Sequence, residues 1–156
     1  MKDILVVYYS LEGNTEFVAE KIAEASKGDL LKIEPAKEIP DNPVGKYVVG
    51  GFKALFKSKP QLKSFNFNSG DYSLLYIGTP VWAGRMTPAI RSWLSDLEIK
   101  DKPIRLFCTA RADSGKALEG MKDYLEPDNE IIDEIEFINP LQNKAEIEQK
   151  IKKWIK

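Results

Sequence analysis

The sequence predicts a doubly wound, three-layer α/β/α fold: a parallel sheet of about five strands in the order 2-1-3-4-5, with helices on both faces. Three observations predict it. Apolar runs at residues 4–9 and 74–79, with a further strand at 104–108, suit a sheet covered on both faces. Each run is followed by a small polar turn and then by a segment with helical apolar spacing. No repeat, low-complexity tract or break in composition divides the 156 residues, a length that suits one domain, 1–156, with a sizeable core.

The first strand, residues 4–9, is rich in β-branched and aromatic side chains. Ser10, Leu11, Glu12, Gly13, Asn14 and Thr15 form the turn after it, with Gly13 and Asn14 suited to backbone angles that most residues avoid. A helix follows, with Val18, Ile22 and Ala25 on its apolar face and Glu16, Glu20 and Glu24 directed elsewhere. The loop therefore sits at a helix amino end, where unpaired N–H groups and the helix dipole attract an anion. It has no lysine and no G-x-x-x-x-G-K-[ST] pattern, which argues against a nucleoside triphosphate with magnesium. Its single glycine argues against a dinucleotide fingerprint. Two readings remain on the loop alone: a pocket of neutral donors for a terminal phosphate monoester, or an ordinary capped turn.

Residues 30–34 read as a short second strand, and residues 35–43 as an irregular linker with prolines at 35, 40 and 43. Residues 45–59 carry one helical face, Val48, Phe52 and Leu55, interrupted by Gly50 and Gly51. Lys46, Lys53, Lys57, Lys59 and Lys63 make this region locally basic, and a solvated helix face is the favoured reading over a docking patch for an acidic partner. Pro80 is expected to end the third strand. Thr87 and Pro88 then signal a helix start, with a hydroxyl cap and proline at the first helical position. Ile90, Trp93, Leu94 and Leu97 give that helix its buried stripe, which places Trp93 in the core. Trp82 is different, because it lies in a loop between Pro80 and Gly84. It either plugs a gap or offers a flat face to a planar ring at the switch point of the sheet.

The strand at residues 104–108 leads into a small polar loop, 109–115. Cys108 reads as a buried small apolar residue. Leu118, Met121 and Leu125 share one helical face, and residues 131–138 alternate as the last strand. Asn143 with Glu146 is a capping pair, and Ile147, Ile151 and Trp154 face the core. Ligands in such sheets bind beyond the carboxyl ends of the strands, where the loops after Tyr9, Thr79 and Cys108 converge.

Composition narrows the chemistry. Lys plus Arg is 23 and Asp plus Glu is 24, a balance that gives no field for nucleic acid. There is no transmembrane-length apolar run, and the amino end leads straight into a strand, so the sequence reads as cytoplasmic without a signal peptide. One cysteine and no histidine leave no internal disulfide, no usual metal cluster and no usual general base. Any chemistry would have to come from tyrosine, lysine, carboxylates, Cys108 or a bound cofactor. A phospho-receiver domain has the same strand order, but the first strand here lacks acidic residues at its carboxyl end.

At this point the chain resembles a flavodoxin. The phosphate-loop pattern of that family, Ser/Thr-x-Ser/Thr-Gly-x-Thr after the first strand, stands here as Ser10-Leu11-Glu12-Gly13-Asn14-Thr15. Gly78-Thr79-Pro80-Val81-Trp82-Ala83-Gly84 is similar to the flavin-flanking loop of the family. The resemblance covers essentially the whole chain and implies FMN as cofactor, bound by two groups of residues. Ser10, Leu11, Glu12, Gly13, Asn14 and Thr15 would take the phosphate. Thr79, Pro80, Val81, Trp82, Ala83 and Gly84 would flank the ring, with Thr109, Ala110, Arg111 and Asp113 at its pyrimidine edge. Two departures stand out. Glu12 replaces a hydroxyl, and its side chain is expected to turn to solvent. The third loop has no aromatic residue, so the second ring face is open or covered by Tyr72, by the 47–56 segment or by a partner chain.

The resemblance implies a flavodoxin-like electron-transfer protein with redox partner proteins and no catalytic side chain. The alternative is an FMN-dependent NAD(P)H or quinone oxidoreductase, for which Arg85 and Arg111, one in each flanking loop, would favour two-electron reduction. A flavin-free interaction domain on the same scaffold is a further alternative. The expected assembly is a monomer or a homodimer, with no metal and no membrane span.

Overall fold

The structure is a computed structural model that describes residues 3–37, 45, 48, 49, 51 and 58–156. Its strands are β1 (Ile4–Tyr8), β2 (Asp29–Lys32), β3 (Leu74–Trp82), β4 (Arg85–Met86), β5 (Pro103–Ala110) and β6 (Glu130–Ile138). Its helices are α1 (Asn14–Ser26), α2 (Pro88–Asp96), α3 (Ala117–Leu125) and α4 (Lys144–Trp154). The sheet order is β2-β1-β3-β5-β6, with every pairing along that path parallel. β4 is an addition that pairs antiparallel with the end of β3. The five parallel strands thus keep the expected order.

Alternate residues of each central strand enter different cores, which is why the strands read as continuously apolar. Leu5 and Val7 of β1, Leu75 and Ile77 of β3, and Ile104, Leu106 and Cys108 of β5 pack under α2 and α3. Val6 and Tyr8, Tyr76, and Phe107 pack on the other face with residues of α1 and α4. Gly78 is the gap in that second face. A Cβ there would overlap the ring of Phe107 on the neighbouring strand. β6 closes the sheet with exposed Glu130, Asp133 and Glu134, charges that blunt an edge against pairing with another chain.

Several expectations need correction. β2 occupies Asp29–Lys32, slightly before the expected 30–34. The buried stripe of α1 is Thr15, Val18, Ala19, Ile22 and Ala23, and Ala25 is exposed. The stripe is centred toward Ala19 and Ala23, which puts Ala25 on the helix flank. Pro80 does not end β3. β1 stops opposite Gly78, so β3 has lost that neighbour by Pro80, where a missing N–H costs little. The strand continues to Trp82 and returns as β4 through Ala83 and Gly84, with φ 50° and 71°. Two central residues with positive φ make the tight turn whose twist suits a hairpin.

Thr87 does precede α2, with Pro88 in the first turn, but its hydroxyl does not cap the helix. It lies 3.2 Å from the Thr79 hydroxyl instead. Asn143 does not form a capping box either. Its amide donates back to the carbonyl of Asn139 at 3.1 Å. Trp93 is fully buried, as its position in the stripe requires, with Phe67 edge-on at 5.2 Å. The 45–59 segment and three of its lysines, Lys46, Lys53 and Lys57, lie mostly outside the described residues. Of the remaining two, Lys63 pairs with Glu34 at 3.9 Å and Lys59 lies 5.8 Å over the Tyr124 ring. Among the described residues, no helix is long and apolar enough to cross a membrane.

Candidate functional site

The carboxyl ends of β1, β3 and β5 open into a cavity of about 840 Å³. That volume is in the range that holds a cofactor-sized ligand. Its walls include Ser10, Leu11, Glu12, Asn14 and Thr15 from the first loop, Pro80, Val81, Trp82 and Ala83 from the second, and Thr109, Ala110 and Arg111 from the third. The three loops predicted to converge therefore do so.

The first loop is built to present donors. Gly13 has φ 97°, a left-handed angle that turns the chain directly into α1. Its N–H donates to the Ser10 hydroxyl at 3.2 Å, and its carbonyl accepts from the Phe17 N–H at 3.0 Å. The N–H groups of Asn14, Thr15 and Glu16, at the start of the helix, have no carbonyl one turn earlier to accept them. Asn14 Oδ1 accepts from the Leu141 N–H at 3.1 Å, which leaves the Asn14 amide hydrogens as donors. Thr15 is buried, and its hydroxyl lies 2.7 Å from that of Thr109. One hydrogen of the pair lies in that bond, and the other is left to donate into the cavity. The donors are neutral, and the partial positive charge comes from the helix end.

Glu12 is exposed, as expected, and its carboxylate lies 4.0 Å from Arg111 Nη2. An acid of the first loop thus faces a base of the third across the cavity rim. Glu16 in the first turn of α1 accepts from Tyr8 Oη and Lys32 Nζ, each at 3.1 Å. Trp82 is half-buried on the cavity wall and meets Tyr9 edge-on, with centroids 5.6 Å apart and planes at 81°. That contact fixes the tilt of the indole.

Four predicted residues stand behind the wall. Gly13 shapes the loop. Thr79 is fully buried, accepts from the Thr87 N–H at 3.0 Å and donates to the Pro80 carbonyl at 2.9 Å. Gly84 forms the hairpin tip, and its carbonyl accepts from the Lys116 N–H at 2.7 Å. Asp113 accepts from the Gly115 N–H at 2.8 Å and so holds the third loop against that tip. Arg85 leaves the site, since it lines a different cleft. Tyr72 does not cover the cavity either. It precedes β3, at the opposite end of the sheet, where its hydroxyl meets Asp29 at 3.5 Å and its carbonyl meets Lys102 Nζ at 2.7 Å.

Five further residues line the cavity: Gly51, from the 47–56 segment named among the expected covers; Ala112, inside the third loop; and Asn139, Leu141 and Gln142, which were not foreseen. The last three follow β6, whose carboxyl end points to the same edge as the other three strands. The parallel order itself was the signal for this fourth loop.

Cys108 is fully buried beneath the third loop, and burial pushes its thiol up to about 12. Burial also raises the phenols of Tyr8 and Tyr76, with Glu16 adding to the effect at Tyr8. These acids bind their protons more tightly in the folded chain than in the unfolded one. Their contribution is complete below the ordinary thiol value of 9.0 and fades as pH climbs toward 12. The urea midpoint is therefore expected to hold near about pH 8 and to fall between about pH 9 and pH 11. A flat midpoint across that range would contradict the burial of these groups.

The fold and the cavity define a doubly wound α/β protein with a mononucleotide-sized site at the switch point of its sheet. The family model for flavodoxin matches residues 3–156, and the chain belongs to the flavodoxin family. No curated protein matches it. Among solved structures, a Bacteroides eggerthii DSM 20697 protein described as a flavoprotein superposes with TM-score 0.77 at 25% identity, over 99% of this chain and 96% of the other. A Lactobacillus acidophilus NCFM flavoprotein in complex with FMN superposes with TM-score 0.74 at 20% identity, over 93% and 99%. Oxidised Flavodoxin 2 from Bacillus cereus gives TM-score 0.59 at 18% identity, over 97% and 94%.

Proposed function

We propose that the cavity holds FMN and that the chain is a flavodoxin-like electron-transfer protein, built as one domain. The observation that carries this reading is a single cavity with a donor-lined anion loop at one end and a braced tryptophan at the other. The donor set fits a phosphate monoester. Ser10, Asn14, Thr15 and the first N–H groups of α1 would bind its oxygens, which need several neutral donors and no metal. Trp82 would lie along the isoalloxazine, and Thr109, Ala110 and Arg111 would meet its polar edge. FMN, when bound, supplies one- and two-electron redox chemistry. The chain orients it, excludes water from one side and sets the charge around it. Glu12 bends the field in this account: its carboxylate pairs with Arg111 and lowers the positive charge that Arg111 would place near the ring.

The oxidoreductase reading is weaker. It drew on an open ring face and on two arginines beside the flavin, and Arg85 lines another cleft. Redox partner proteins are accordingly the proposed partners, in a cytoplasmic setting. An absorbance spectrum of the purified protein with FMN added should show a bound, perturbed flavin. Steady-state NAD(P)H consumption, with and without a quinone, should stay far below the usual enzymatic turnover of about 10 s⁻¹. Turnover near that value would reject the carrier in favour of the enzyme.

A further inference from the structure

A second cleft, of about 400 Å³, lies on the α2 and α3 side of the β3–β4 hairpin. Arg85 of β4, Arg91 of α2 and Lys116 just before α3 contribute cations to its wall, and Glu119, Asp123 and Tyr124 of α3 complete it. Arg91 is the unusual member. Only 2% of it is exposed, yet among the described residues the one hydrogen bond of its side chain is a long one, from Nη1 to the Ser58 carbonyl at 3.5 Å. Among the described residues, no carboxylate pairs with Arg91, with Arg85 or with Lys116, although two carboxylates stand in the same cleft. Burial weakens the hold of Arg91 on its proton; Tyr124 opposes that effect and Arg85 adds to it. A mostly desolvated guanidinium is costly unless an anion compensates it. Among the described residues no carboxylate forms that pair, and two more cations, Arg85 and Lys116, line the same space beside Glu119 and Asp123.

We infer that the cleft binds a small phosphate monoester with a hydroxyl-bearing body, at a site separate from the cavity proposed for FMN. Three cations on different elements suit a dianion with three acceptor oxygens better than a carboxylate, which has one charge and two oxygens. Glu119 and Asp123 lie one helical turn apart on α3 and accept from hydroxyl groups on the body of the ligand. The exposed ring of Tyr124 gives that body an apolar wall. The inference stands whether or not the first cavity takes FMN.

The test is thermal unfolding of the full chain with ribose 5-phosphate as probe, ribose as control, and sodium chloride matching ionic strength. At about ten times Kd the wild type is expected to gain about 3–6 °C from the ester and nothing from ribose. Arg91→Met keeps the volume of the side chain and removes its charge. It is expected to lose that gain while being no less stable without ligand. Binding of the ester in the first cavity would move both proteins equally, so the difference between them reads this cleft alone. Should Arg91→Met fail to fold, Arg85→Gln must cut the gain by at least about half. An equal gain in the wild type and the variants, no gain in the wild type, or a gain from ribose alone would overturn the site.

Discussion

Gly78→Ala is expected to lower the unfolding free energy by about 1–3 kcal/mol or more, the largest loss from one methyl group among the described glycines. Gly78 lies in the middle of β3 opposite Phe107 of β5, and an added Cβ would overlap three atoms of that ring. The ring cannot swing away cheaply. Phe107 is fully buried, and Phe137 meets it edge-on at 6.4 Å. A cavity-forming partner substitution gives the matching control. Phe107→Leu alone should also destabilise, because it removes buried contacts. The double variant Gly78→Ala/Phe107→Leu should be more stable than the sum of the two losses predicts, since each change relieves the other. Urea unfolding of the four proteins measures that coupling. Strict additivity would show that Gly78 is not there to make room for the ring.

Gly115→Ala should weaken FMN binding by at least about tenfold, equivalent to about 1.4 kcal/mol, with a smaller effect on folding. Gly115 has φ 51°, where an L side chain is strained. Its Cβ would also lie 2.6 Å from the Gly84 carbonyl oxygen and 2.8 Å from the Gly84 Cα. These are backbone atoms at the tip of the hairpin that carries Trp82, and they cannot rotate aside as a side chain can. The third loop and the hairpin must therefore separate, which breaks the Lys116 N–H bond to the Gly84 carbonyl and shifts the indole. Gly84→Ala is the informative contrast, because an added Cβ there meets nothing within 4 Å, although φ 71° strains it. Flavin fluorescence titration of the two variants should place Gly115→Ala well behind Gly84→Ala in affinity. Equal losses would mean that backbone strain alone, and not the loop contact, sets the site.

Much of this arrangement is legible in the residues themselves. The two-faced core follows from apolar runs that admit no solvent side, such as Leu5 through Tyr9. The anion loop follows from where Ser10 to Thr15 sits in the chain, between a strand and a helix. What sequence spacing could not carry was the use of individual polar atoms. Thr87 and Asn143 both have the composition of helix caps, yet a nearer partner takes each side chain. Pro80 reads as a strand terminator, and only the absence of β1 beyond Gly78 lets it stay in the strand. Asn139, Leu141 and Gln142 entered the cavity through a fourth loop that carries no motif. Arg85 and Trp82 are register partners on the hairpin, yet they line separate clefts.

The central claim is that the loop from Ser10 to Thr15 grips the phosphate of FMN. Titrating the protein with FMN and with riboflavin under the same conditions tests it most directly, since the two differ only in that phosphate. FMN is expected to bind at least about 100-fold more tightly, the worth of two or more charge-assisted hydrogen bonds. Equal affinity for the two flavins, or no binding of either, would contradict the account.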